Sequence, residues 1–191
     1  MTDRDAALQV LHEHVKSESL LRHALTVEAV MRYFAAVYGE DAEYWGIVGL
    51  LHDIDFEEYP DRHCAMVRDI LGPLGYSDET MRAIESHGYG IVNEVEPRHI
   101  MEKALFATDE LTGLIFAAAL MRPSRSVLDM EISSVKKKWK QKGFAAGVDR
   151  ALIEQGAQML GMDIDTLIGH TINAMRGVAE EIGLKGEPQI I

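Results

Sequence analysis

Ala104 to Phe116 is the stretch that most constrains this fold. It runs Ala-Leu-Phe-Ala-Thr-Asp-Glu-Leu-Thr-Gly-Leu-Ile-Phe, inside a long helical segment opened by Pro97 and broken by Pro123. Apolar side chains fall on nearly every face of such a helix, so no side of it suits water. Other helices must surround it, which makes it the expected buried centre of an all-α bundle. Asp109 stands in the middle of that helix. An acid so placed is costly unless it is paired or holds a metal ion. A salt link to Arg22 or another arginine is the plainer reading; the histidines elsewhere favour the metal.

Helical periodicity extends over almost the whole chain, and no segment alternates as a strand does. Asp3 to about Lys16 reads as a first helix. Leu20, Leu21, Ala24, Val27, Val30, Met31 and Phe34 then recur at three- and four-residue steps until Gly39 stops them. Asp41 caps a helix running to His52, and the acidic, proline-containing stretch from Phe56 to Asp61 is a loop. Further helices are expected over about Asp61–Leu71, from a Ser77 cap to His87, and from Pro97 to Met121. Three more run from a Ser133 cap to Gly143, over Asp149–Leu160 and over Asp163–Ile182, before a loose tail, Gly183–Ile191. With no repeats and no linker, residues 1–191 read as one domain: a core of about 17–122 and a helical extension of about 123–185.

The length of 191 residues is enough to bury a sizeable core, and 47% hydrophobic with 26% charged residues is an ordinary globular balance. A net charge of −12 argues against stable nucleic-acid binding and against an anionic membrane surface, while leaving room for a local basic pocket. The single cysteine, Cys64, excludes an internal disulfide framework and a cysteine-rich zinc site. It reads most simply as a small core residue. No signal-like start and no membrane-length apolar run is present, so a cytoplasmic location is expected. The sequence leaves the oligomeric state open.

His52 and Asp53 end the apolar run that starts at Trp45, with His23 upstream and His87 and Asp109 downstream. Neutral imidazoles and ionised carboxylates are what a divalent cation needs, and residues of both kinds stand here in apolar helical settings. Each has a plain alternative taken alone. His23 could be satisfied by a backbone carbonyl, and His87 could simply cap its helix. Four such residues in unfavourable positions point instead to one metal centre built from His23, His52, Asp53 and Asp109.

This pattern resembles the HD superfamily of metal-dependent phosphohydrolases: a histidine, a His-Asp pair and a distal aspartate on a helical bundle. The matching positions are His23 in Leu-Arg-His-Ala, His52–Asp53 in Leu-Leu-His-Asp-Ile, and Asp109 in Ala-Thr-Asp-Glu-Leu, and the agreement covers about residues 20 to 120. The last third, with Ser-Val-Lys-Lys-Lys-Trp-Lys, is similar to uncharacterised bacterial HD hydrolases. The resemblance implies hydrolysis of a nucleotide or another small phosphorylated metabolite, using one or two divalent ions (iron, manganese, cobalt, nickel, zinc or magnesium). It further implies that His63 and His87 hold a second ion, with Asp53 as the bridge and a catalytic residue. A di-iron oxygenase, or a non-catalytic ligand-sensing domain that keeps its metal for structure, would use the same ligands.

Where many members of that superfamily continue with glycine and lysine after His-Asp-Ile, this chain has Asp55, Phe56, Glu57 and Glu58. Asp55 could orient the attacking water or act as general acid or base, whereas Glu57 and Glu58 read as a solvated acidic loop. Positive charge for a phosphorylated substrate is expected from the basic stretch after the central helix, with Lys136, Lys140 and Arg122 as candidates. His12, His14, His99 and His170 have no companion pattern.

Overall fold

A computed structural model describes residues 3–187. Among the described residues, nine α-helices and two 3-10 turns make up the regular structure and no strand occurs. The chain divides into two compact units, Met1–Phe106 and Ala107–Ile191, with the boundary inside one continuous helix.

The first unit holds α1 (Arg4–His14), α2 (Glu18–Tyr38), α3 (Ala42–Leu51), α4 (Val67–Leu71), α5 (Asp78–Glu85) and the first turns of α6 (Ile100–Leu120). Local chemistry sets most of these ends. The Asp3, Asp41 and Ser77 side chains each accept a hydrogen bond from a backbone amide in the first turn that follows. Gly39 adopts the left-handed conformation at the end of α2 (φ +72°), which costs a glycine little.

Val27, Val30, Met31 and Phe34 of α2 are fully buried, as are Val48, Leu50 and Leu51 of α3. Burial of each such side chain stabilises by about 1.5–3 kcal/mol. Gly49 lets α2 and α3 approach closely: a methyl group there would lie 2.8 Å from Met31 Cγ and 2.9 Å from the Val27 carbonyl oxygen. Beside this seam the buried Glu28 carboxylate accepts from Arg4 Nε at 2.6 Å and from Arg32 Nε at 2.9 Å. Arg32 also bonds the Ala42 carbonyl and Glu43 at the start of α3, so the close approach at Gly49 and this cluster hold α3 along its length.

In the second unit, α6 continues to Leu120, followed by α7 (Ile132–Trp139), α8 (Arg150–Leu160) and α9 (Ile164–Gly177). Gly156 of α8 faces Ala107 so closely that a Cβ there would sit 2.4 Å from the Ala107 Cα. Arginines fasten the intervening loops. Arg150 donates to the carbonyls of Trp139 and Phe144, and Arg176 donates to that of Met130.

Several expected boundaries move. No helix spans 61–71: Pro60–Arg62 is a 3-10 turn, Cys64 takes φ +65°, and α4 starts only at Val67. α6 starts at Ile100 rather than Pro97, because the Glu102 carboxylate accepts from the amides of Arg98 and His99. Ser133 lies inside α7, whose N-cap is Glu131, and α7 ends at Trp139 instead of reaching Gly143. α9 ends at Gly177 rather than Ile182. Residues 184–187 of the expected tail lack regular structure, and 188–191 lie outside the described residues.

Candidate metal centre

Within the first unit, α2 supplies His23, the C-terminal end of α3 supplies His52 and Asp53, the turn before α4 supplies His63, and the 3-10 turn after α5 supplies His87. All four imidazoles meet one carboxylate. Asp53 Oδ2 lies 3.6 Å from His23 Nε2 and 3.4 Å from His52 Nε2. Asp53 Oδ1 lies 3.5 Å from both His63 Nε2 and His87 Nε2. The imidazoles are therefore paired: His23 and His52 have Nε2 atoms 3.1 Å apart, and those of His63 and His87 are 3.0 Å apart. One carboxylate lies between two two-histidine clusters, with a different oxygen facing each.

The orientation of three rings follows from what their other nitrogen does. His52 Nδ1 is 2.8 Å from the Gly49 carbonyl oxygen, and His87 Nδ1 is 2.5 Å from that of Ile84. A carbonyl only accepts, so both Nδ1 atoms carry the proton. His63 Nδ1 lies 2.9 Å from Asp55 Oδ1, with the same consequence. In the neutral imidazoles each Nε2 then presents a bare lone pair to the cluster. Lone pairs 3.0 Å apart beside a carboxylate repel unless positive charge lies among them. Ring nitrogens anchored on the far side, aimed at a shared carboxylate, are a donor set that fits one or two divalent ions.

The same demand for positive charge shapes the titrating groups. Burial acts to raise the Asp53 carboxyl, but His52, His87 and His23 outweigh it and hold the group well below the usual carboxylate range. Burial likewise lowers the His63 imidazole, while its bond to Asp55 and the neighbouring Cys64 reverse the effect and lift it to about 9. For the Cys64 thiol, burial raises the pKa, and the charge of His87 with hydrogen bonds from His63 and His87 brings it down to about 7.

The structure thus brings together His23, His52, Asp53, His63 and His87. Asp55, expected to orient water or to move a proton, stands directly behind His63. Asp55 is fully buried; its Oδ1 accepts from His63 and its Oδ2 from the Met66 amide at 3.1 Å. Through these two bonds it positions His63 and caps the chain entering α4. Glu57 and Glu58 are exposed, as expected of a solvated acidic loop, and each also makes contacts. Glu57 accepts from the amides of Lys16 and Ser17, and Glu58 pairs with His14, so the segment after His52 and Asp53 is fastened to the α1–α2 junction.

Asp109 stands half-buried on α6, in the second unit. Arg122, Lys136 and Lys140 also belong to that unit. Arg122 pairs with Asp129 at 3.1 Å, Lys136 pairs with Asp165 at 2.6 Å, and Lys140 is exposed. Two of the three expected phosphate-binding cations therefore already have carboxylate partners. Cys64, expected to be a plain core residue, is buried but stands against the cluster, its Sγ 3.9 Å from His87 Nε2. The only sequence signal for it was adjacency to His63. Comparison with protein-family models, with curated proteins and with solved structures finds no match to this chain.

Proposed function

We propose that this protein is a metal-dependent phosphohydrolase of the HD type, cleaving a phosphate ester or anhydride of a nucleotide or another small phosphorylated metabolite. The observation that carries the reading is the single carboxylate of Asp53 set between two pairs of histidines, each pair turned toward a different oxygen. His23 and His52 would hold one ion, His63 and His87 a second, and Asp53 would bridge them. The resemblance adds Asp109 to the ligands, and the metal content of an Asp109→Ala variant decides its part.

Two such ions, when bound, supply charge neutralisation for a phosphoryl group and a water acidic enough to act as hydroxide near neutral pH. The chain's own residues prepare the site for that chemistry. The Gly49 and Ile84 carbonyls and the Asp55 carboxylate fix three imidazoles in the tautomer that presents Nε2, so binding requires little reorganisation. Phe56 follows immediately, 40% exposed, its ring edge-on to His63 at 5.2 Å. It offers a solvent-facing aromatic surface on which a nucleobase can stack.

The test is elemental analysis of protein purified without chelator, followed by phosphate release from a nucleotide panel with each candidate metal. The expected result is up to two ions per chain, metal-stimulated hydrolysis, and loss of both in Asp53→Ala. Protein that binds no divalent ion and hydrolyses nothing on the panel would overturn the reading. Oxygen consumption by the iron-loaded protein without phosphate release would assign the same ligands to oxidative chemistry instead.

A further inference from the structure

Cys64 has a setting that core packing does not explain. It is the residue after His63, in the turn between the 3-10 segment Pro60–Arg62 and α4. Its backbone adopts φ +65°, a left-handed conformation that side-chain-bearing residues rarely take. A residue needed only to fill apolar volume gains nothing from that conformation. The turn directs the sulfur toward imidazoles rather than into the helix-helix seam: His63, Cys64 and His87 each offer a ligand atom, and all of these lie within 4.8 Å of one another. The residue after His87 is Gly88, where an added Cβ would lie 2.8 Å from Cys64 Sγ, 2.7 Å from Val92 Cγ2 and 2.8 Å from Asn93 Nδ2, so the sulfur is closely packed against this turn.

We propose that Cys64 is a thiolate ligand of the second metal position, together with His63 and His87; this rests on the two-metal reading above and specifies the chemistry of one of its ions. Ligand atoms around a tetrahedral ion with the usual metal–nitrogen and metal–sulfur bonds are separated by about 3.5 Å. The observed separations, 3.0 Å between the two Nε2 atoms and 3.9 Å from Sγ to His87 Nε2, bracket that value. On binding, a sulfur–metal bond forms and the thiol proton passes to solvent. A thiolate in the set favours zinc, cobalt or iron(II) at this position and disfavours magnesium, which prefers oxygen ligands. The two positions of the centre therefore differ in metal preference.

Cobalt(II) tests this directly, because a cobalt–thiolate bond gives an intense charge-transfer absorption in the near ultraviolet that nitrogen and oxygen ligands do not. Cys64 is the only cysteine of the chain, so any such band reports on it alone. The full-length protein, stripped with chelator and titrated with cobalt, is expected to develop the band, and excess magnesium is expected not to remove it. Cys64→Ser and Cys64→Ala are expected to lose the band and to bind their second cobalt at least about tenfold more weakly, since even ligand-supporting residues are worth that much. Wild-type protein that takes up two cobalt ions without the band would overturn the thiolate ligand and leave the two-metal reading standing. Wild-type protein that binds no cobalt at all would overturn both. The wild-type spectrum decides the matter even if a variant fails to fold.

Discussion

Replacing Asp55 by alanine separates a positioning role from a catalytic one. The carboxylate is fully buried and serves two donors, His63 Nδ1 on one oxygen and the Met66 amide on the other. Asp55→Ala leaves both without an acceptor. Each buried unsatisfied donor costs about 1–3 kcal/mol, which sets a range of about 2–6 kcal/mol. A water molecule can fill part of the vacated space, since the His63 side chain is 13% exposed, and this favours the lower half, about 3 kcal/mol. Loss of the anchor also frees the His63 ring to rotate and to carry its proton on either nitrogen. Metal affinity at that position should fall about 10–100-fold, as for other residues that orient a ligating histidine.

Urea unfolding of the metal-free protein measures the first quantity, and calorimetric titration with zinc or cobalt measures the second. Asp55→Asn keeps an acceptor oxygen for one donor but turns an amide N–H₂ toward the other, so it should fall between wild type and alanine on both scales. A group that acts by moving a proton during hydrolysis behaves differently: its asparagine variant keeps stability and metal and loses only turnover. The positioning account fails if Asp55→Ala unfolds within about 0.5 kcal/mol of wild type, the range of inconsequential substitutions, and binds metal normally.

Further outcomes follow from the packing. Gly49→Ala would drive a methyl group to 2.8 Å from Met31 Cγ and 2.9 Å from the Val27 carbonyl; despite alanine's better helix propensity it should destabilise by about 1–3 kcal/mol, read from urea midpoints. Because Gly49 also carries the carbonyl that orients His52, the same variant should weaken metal binding, whereas a simple packing defect would leave the titration unchanged. Gly156→Ala, whose Cβ would lie 2.6 Å from that of Ala107, should show a loss of similar size with no change in the affinity of the His63–His87 position, measured by the same zinc titration. Glu28→Ala removes the shared acceptor of Arg4 and Arg32. Breaking a buried ion pair costs about 3–5 kcal/mol, and the partly exposed arginines can rehydrate, so a thermal-unfolding loss near the bottom of that range is expected.

How far the site could be read from the chain depends on how local each contact is. Helix ends were legible where one residue closes the turn, as Asp41 does with its side chain and Gly39 with its left-handed backbone. His52, Asp53 and His87 were legible for a related reason. Each histidine directs Nδ1 to the carbonyl three residues earlier in the last helical turn, Gly49 for one and Ile84 for the other. Carbonyls near a helix end lack a full set of amide partners, and an imidazole that satisfies one must point its Nε2 away from the helix. Capping and metal ligation are therefore not rival readings of His87: the cap fixes the tautomer, and that tautomer turns Nε2 toward Asp53. His63 and Cys64 follow the opposite rule. On the helix that periodicity suggests for 61–71, adjacent side chains diverge by about 100° and could not meet at one point. They converge because Cys64 takes φ +65° and the Asp55 carboxylate replaces the missing helical contacts at His63 and Met66. That arrangement depends on a carboxylate eight residues before His63, across an acidic, proline-containing loop, so no periodicity carries it. The residues that make this half of the centre distinctive are the ones whose positions are set by tertiary contacts.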